Sequence, residues 1–179
     1  MKTGTSFFLL FLCILTCYPD IYMIRVTCAI IRNEDDEVLV VQRGELTDHP
    51  LKWEFPGGKI SGGESEEECI IREIKEELSL DIVICGRLSE VKHDYGNKKI
   101  ILIPFICDTL DELPFLSEHI AYKWVEVNQL GSIDFCEADV FVAENYLSGK
   151  TKDNESVTGQ ADQPGFSEDI ELKDMIGRM

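Results

Sequence analysis

One stretch constrains this chain more than any other: Gly57 to Leu80, GGKISGGESEEECIIREIKEELSL. Within it Ile70, Ile74 and Leu78 recur every four residues, the spacing of one apolar helical face. Ser65-Glu66-Glu67-Glu68 ahead of them fits a capping box. The pattern predicts a helix over residues 65–78. Glu73, Glu76 and Glu77 stand three and four residues apart, which gathers them on one face of that helix. Like charges so placed repel by roughly a few tenths of a kcal/mol per pair, and Arg72 and Lys75 cannot neutralise all of them. Such a face suits a hard divalent cation. Mg²⁺ takes oxygen ligands, keeps some waters and bridges carboxylates to phosphates.

The loop ahead of the helix has a matching logic. Gly57 and Gly58 admit positive φ and the close approach of a ligand, and a carbonyl there can point at the same cation. Gly62-Gly63 lets the chain turn into Glu64. Glu64 in turn sits where it can hold Arg72 by a charge-assisted bond and brace loop against helix. Singly, each feature is bland: helical glutamates usually form a solvated face, and paired glycines usually form a turn. Jointly they fix many positions. Gly58, five residues, Glu64, seven residues, Arg72-Glu73-Ile74-Lys75-Glu76-Glu77 and then Leu80 do not coincide by chance.

The rest of the chain reads as strands with one more helix. Residues 24–32 and 37–42 are β-rich runs joined by the turn Asn33-Glu34-Asp35-Asp36. Residues 43–64 read as loop; 81–93, 99–107 and 121–127 read as further strands; 137–147 reads as a second helix. From residue 150 the chain turns polar and acidic, and a disordered tail over 150–179 is expected. The domain proper is then 23–149, an α+β sandwich with the sheet between helices.

The net charge of −17 excludes a broad grip on a nucleic acid polymer, which needs a basic surface. A phosphate ligand remains compatible where cations stand between it and the acids. The cysteines include no CxxC pair, so neither a zinc site nor a redox motif is expected; reduced, mostly buried thiols and a cytoplasmic setting are. Residues 1–22 carry a short apolar run, Phe7 to Thr16, with two readings. One is a dispensable extension ahead of a start at Met23. The other is an export signal or anchor, the one route by which this chain would meet a membrane.

The segment resembles the Nudix box, G-x5-E-x7-R-E-U-x-E-E-x-G-U with U apolar, through Gly58, Glu64, Arg72, Glu73, Ile74, Glu76, Glu77 and Leu80. Ser79 departs from it, standing where the family has Gly. A residue there ends the helix in a left-handed turn, so Ser should cost up to about 1 kcal/mol or shift the cap. Trp53-Glu54-Phe55-Pro56-Gly57-Gly58-Lys59-Ile60 is similar to the entry to the box in the MutT-type branch, and the likeness runs over residues 23–147. It implies an α/β/α sandwich with a mixed sheet. It also implies binding of Mg²⁺, with Mn²⁺ as a substitute, by Glu73, Glu76, Glu77 and the Gly57 carbonyl. Glu118 fits the family's further glutamate from a later loop.

The implied reaction is attack of water on the β-phosphorus of a nucleoside triphosphate, releasing a monophosphate and pyrophosphate. Glu73 is the candidate base, with Glu76 and Glu77 the better direct ligands, and Arg72 and Glu64 complete the catalytic set. Arg43, Gly58 and Lys59 are expected at the substrate, Arg43 on its phosphates. Asp139 resembles the position that reads the base edge, which would suit cytosine or an oxidised guanine; helix-start acids are also favoured by the dipole alone. Tyr95, Phe105, Phe115 and Phe135 are aromatic candidates for stacking or for core. Other Nudix substrates, ADP-ribose among them, and a non-cleaving nucleotide sensor are the alternatives. The intact glutamates speak against the sensor.

Overall fold

The nine residues of β1, Ile24–Arg32, lie at the centre of the sheet, and both of their faces are covered. The computed structural model describes residues 23–110 and 113–158. Alternate side chains of β1 enter different cores: Ala29 and Ile31 pack on one side, Cys28 and Ile30 on the other. β2 (Glu37–Gln42) does the same, with Leu39 and Val41 opposed to Val38 and Val40. This is why both strands read as nearly continuous apolar runs.

On the first face packs α1, Glu66–Leu78, through Ile70, Ile74 and Leu78, each fully buried. Its start is the expected capping box. Ser65 Oγ accepts from the Glu68 amide at 3.1 Å, and the Glu68 carboxylate accepts from the Ser65 amide at 2.8 Å. Its end is the left-handed turn the sequence implied, with Ser79 at φ 58° and its amide on the Lys75 carbonyl. On the opposite face packs α2, Glu137–Thr158, through Ala138, Val142, Ala143 and Tyr146. The α/β/α layering and the mixed sheet are as expected from the sequence. β1 runs parallel to β6 (Lys99–Asp108), and every other pairing between the described strands is antiparallel.

Four details differ from the sequence reading. The stretch 81–93 forms two strands, β4 (Val83–Arg87) and β5 (Val91–Asp94), laid end to end along β6. Between them Leu88 donates to the Pro104 carbonyl, so Pro104 faces this side, where it has no amide to give, and the ladder breaks. A two-residue β3, Trp53–Glu54, lies inside the expected loop, and a 3-10 turn, Val127–Ser132, follows β7 (Ala121–Glu126). α2 also continues across Gly149, past the expected end at 147, since one glycine weakens a helix by about 1 kcal/mol without breaking it. The expected extension 1–22 and the remainder of the expected tail, 159–179, lie outside the described residues.

One irregularity positions the site. β1 and β2 pair only at Arg32↔Val38 and then diverge. Residues 53–60 fill the gap. Glu54 and Trp53 pair with Val41 and Gln42 of β2. On the other side Ala29 donates to the Pro56 carbonyl at 2.9 Å and Thr27 to the Gly58 carbonyl at 2.8 Å. The double-glycine turn is thereby pinned to the central strand, under α1.

Candidate active site

At this gap opens a cleft of about 530 Å³. Its glycines are there for space. Gly57 has φ 150°, and a Cβ on it would lie 2.2 Å from the Thr27 carbonyl oxygen. A Cβ on Gly58 would lie 2.2 Å from the Glu73 carboxyl carbon, so this glycine makes the room Glu73 occupies. Gly57, Gly58 and Lys59 all line the cleft.

From α1, Glu73 and Glu77 reach the cleft. Glu77 is only 7% exposed, and its Oε2 has no hydrogen-bond partner among the described residues. Burial pushes its carboxyl up to about 7; His119 opposes this, while Glu118 and Glu73 add to it. Glu118 reaches Glu77 because its loop is tied to the helix end. Phe115 donates to the Leu78 carbonyl at 2.8 Å, and the Ser117 amide and hydroxyl donate to the carbonyls of Glu77 and Glu76 at 3.0 and 2.9 Å. These are among the last carbonyls of α1, which have no partner inside the helix.

Glu64, Arg72 and Glu76 stand beside the cleft and do not line it. Glu64 accepts from Arg72 at both oxygens, 2.7 and 2.9 Å, and from the Ser61 amide at 2.7 Å. The Arg72 bond chiefly, then Ser61, holds the Glu64 carboxyl down at about 2. Arg72 also pairs with Glu73 at 3.0 Å and Glu76 at 3.1 Å. Glu76 has a side chain 62% exposed and paired with Arg72.

The far half of the cleft is built differently. Arg43, just past β2, puts Nη1 on both oxygens of Glu54 at 2.9 and 2.7 Å, and Nε on the Asp48 carbonyl at 2.7 Å. His119 Nε2 lies 3.0 Å from Glu54 Oε1. Neither Glu54 nor His119 was singled out in the sequence. The available signal was an acid between two aromatics, which is costly to bury unless paired. Asp139 is buried near the start of α2 and accepts from the Phe55 amide at 2.9 Å. Burial pushes its carboxyl up to about 8 against the pull of that hydrogen bond, so it holds its proton near neutrality. Cys136 beside it is pushed up to about 12, again by burial.

Among the described residues, Glu54, Cys136 and Asp139 form the one group of three metal-capable side chains whose ligand atoms lie within 4.8 Å of one another. Its chemistry argues against a cation. Two of its members keep their protons, and Glu54 already serves Arg43 and His119. The Glu73, Glu77 and Glu118 side chains are more widely spaced. Of the aromatic candidates, Phe105 and Phe135 are core, Phe115 is exposed, and Tyr95 lines the cleft with its hydroxyl accepting from the Ala138 amide. Cys28, Cys69, Cys85, Cys107 and Cys136 are free thiols, all buried but Cys85.

Known proteins resemble this chain in sequence and fold. The sequence pattern of the NUDIX domain family matches residues 22–143. The 8-oxo-dGTP diphosphatase of Haemophilus influenzae is 30% identical over 129 residues, spanning 72% of this chain and 95% of that protein. The CTP pyrophosphohydrolase of Escherichia coli is 28% identical over 130 residues, spanning 70% and 93%. The crystal structure of the MutT protein from Methanosarcina mazei superposes with a TM-score of 0.67 at 29% identity, covering 74% of this chain and 98% of that one. With the box glutamates on α1, the glycine turn under them and the cleft between, the chain belongs to the Nudix hydrolase family, in its MutT-like branch.

Proposed function

We propose that the protein hydrolyses nucleoside triphosphates to a monophosphate and pyrophosphate with Mg²⁺, and that it clears oxidised or cytosine-bearing nucleotides from the pool. As a Nudix hydrolase it acts on phosphoric anhydrides. The observation that carries the finer reading is Glu77: a buried carboxylate with an unpartnered oxygen, crowded by Glu73 and Glu118 at the floor of a cleft. A carboxyl held so stays ionised at low cost only where a cation stands among its neighbours, and otherwise takes up a proton, so the residues fit the divalent ion the family implies. Glu73, Glu77, Glu118 and the Gly57 carbonyl would hold it. Glu76 joins them by turning its exposed side chain away from Arg72.

The chemistry a bound Mg²⁺ supplies is neutralisation of phosphate oxygens and a lowered pKa for the attacking water. The chain's own residues do the rest. Glu73, braced by Arg72 and walled by Gly58, is positioned to take the proton of that water. Arg43 and Lys59 face the phosphate chain with fixed positive charge. Asp139, neutral at pH 7, offers one donor and one acceptor to a base edge. The names of the relatives, 8-oxo-dGTP diphosphatase and CTP pyrophosphohydrolase, support this substrate class. Free, mostly buried thiols suit a reducing cytoplasm, and no helix among the described residues is long and apolar enough to cross a membrane.

The test is a panel of canonical and oxidised dNTPs, CTP and ADP-ribose with Mg²⁺, reading pyrophosphate against orthophosphate. A triphosphate giving pyrophosphate at the highest kcat/KM is expected. Preference for ADP-ribose, or full rates in excess chelator, refutes the reading.

A further inference from the structure

Glu54 and His119 lie 65 residues apart, yet one hydrogen bond of 3.0 Å joins two pieces of site machinery. The Glu54 carboxylate also receives Arg43, and all three side chains line the cleft. They are well shielded, with His119 7%, Glu54 18% and Arg43 26% exposed. An arginine side chain carries about 2 kcal/mol of rotamer entropy. Here Glu54 and the Asp48 carbonyl remove much of that freedom before any substrate arrives. On the other side of Glu54, His119 is the residue after Glu118, and Ser117 before it is bonded to α1. Glu118 is therefore held between two anchors, one on the helix and one on β3.

We propose that Glu54 and His119 are positioning residues: one shared carboxylate orients Arg43 toward the phosphates and, through His119, holds the Glu118 loop against Glu77. The inference rests on the triphosphate reading for what Arg43 and Glu118 act upon. It requires His119 to donate from Nε2. A neutral ring protonated at Nδ1 instead would bury that proton without a partner among the described residues.

Two measurements test it. The first is kinetic, on the full chain with the best triphosphate, reading kcat, KM and the Mg²⁺ concentration for half-maximal rate. His119→Leu keeps bulk and removes the donor; it should raise the half-maximal Mg²⁺ concentration about tenfold and lower kcat. His119→Gln, whose amide can donate to Glu54, should recover most of both. Glu54→Gln turns an amide toward Arg43 and should raise KM about tenfold. All three constants within about twofold of native in His119→Leu, or equal damage in the Gln and Leu variants, overturns the proposal.

The second needs no turnover: nitrogen NMR of the unsubstituted protein should show the His119 Nε2 protonated. A bare Nε2 overturns the device whatever the substrate proves to be. A protonated Nε2 in a protein that cleaves no triphosphate keeps the hydrogen-bonded device and sinks only the substrate reading.

Discussion

The two halves of the cleft hold similar numbers of acids and treat them oppositely. Near α1, Glu77 is buried with an unpartnered oxygen, and Glu73 and Glu118 raise its pKa further. Near β3 and α2, Glu54 accepts from Arg43 and has His119 Nε2 within hydrogen-bond distance, and Asp139 accepts from the Phe55 amide. The first half is left electrostatically incomplete, which is what the proposed cation site requires. The second is closed within the chain and kept partly neutral, which suits recognition by shape and hydrogen bonds. The difference teaches that the count of carboxylates in a cleft says little. What decides their role is whether the chain itself satisfies them.

The largest expected effect tests the incomplete half. Glu77→Gln should lower kcat by roughly a hundredfold or more, since charge stabilisation at a reacting phosphate is worth several kcal/mol. Its melting temperature should hold or rise, because a buried unpaired acid is removed. Retained activity breaks the contrast. Asp139→Ala should next reorder base preference while leaving the half-maximal Mg²⁺ concentration alone; an unchanged substrate ranking would refute its role in the second half.

Asp139 also gives a pH signature. Its carboxyl is raised from 3.8 to about 8 on folding, so the unfolded chain gives up the proton first as pH rises. Native stability therefore declines between these values, by up to a few kcal/mol. Urea titrations at pH 5 and pH 8 should show a smaller decline in Asp139→Asn. Glu64 runs the other way. Its folded pKa is depressed from 4.5 to about 2, so its stabilisation is present above 4.5 and is lost as pH falls through 2. Acid unfolding of Glu64→Gln should be correspondingly flatter over that window. The smallest effect is outside the cleft. Ser79→Gly should raise stability by up to about 1 kcal/mol by relieving the left-handed cap, with unchanged kcat as the check.

Much of the α1 half was legible because its logic is local. The capping box, the apolar face of α1 and the Glu64–Arg72 brace all lie within one segment, where helical spacing and hydrogen-bond valence suffice. Spacing alone did not show that the exposed Glu76 side chain pairs with Arg72 beside the cleft. In the other half Arg43 and Asp139 were named from the family resemblance, but their pairings were opaque for the converse reason. Glu54 meets His119 across 65 residues, and Asp139 meets Phe55 across 84, so no local pattern announces either pair.

The sequence by itself determined the elements that short-range physics controls: a capped amphipathic helix, apolar strands buried on both faces, and glycines where backbone and carboxylate come too close for a Cβ. Only the tertiary structure decided how the acids are divided. The splaying of β1 from β2 admits residues 53–60, and that wedge sets Glu54 beside Arg43 and His119 while leaving Glu77 with an oxygen that nothing in the described chain satisfies. Burial and partnership are properties of the packed molecule. They set the charge state of a carboxylate, and with it what the carboxylate can do.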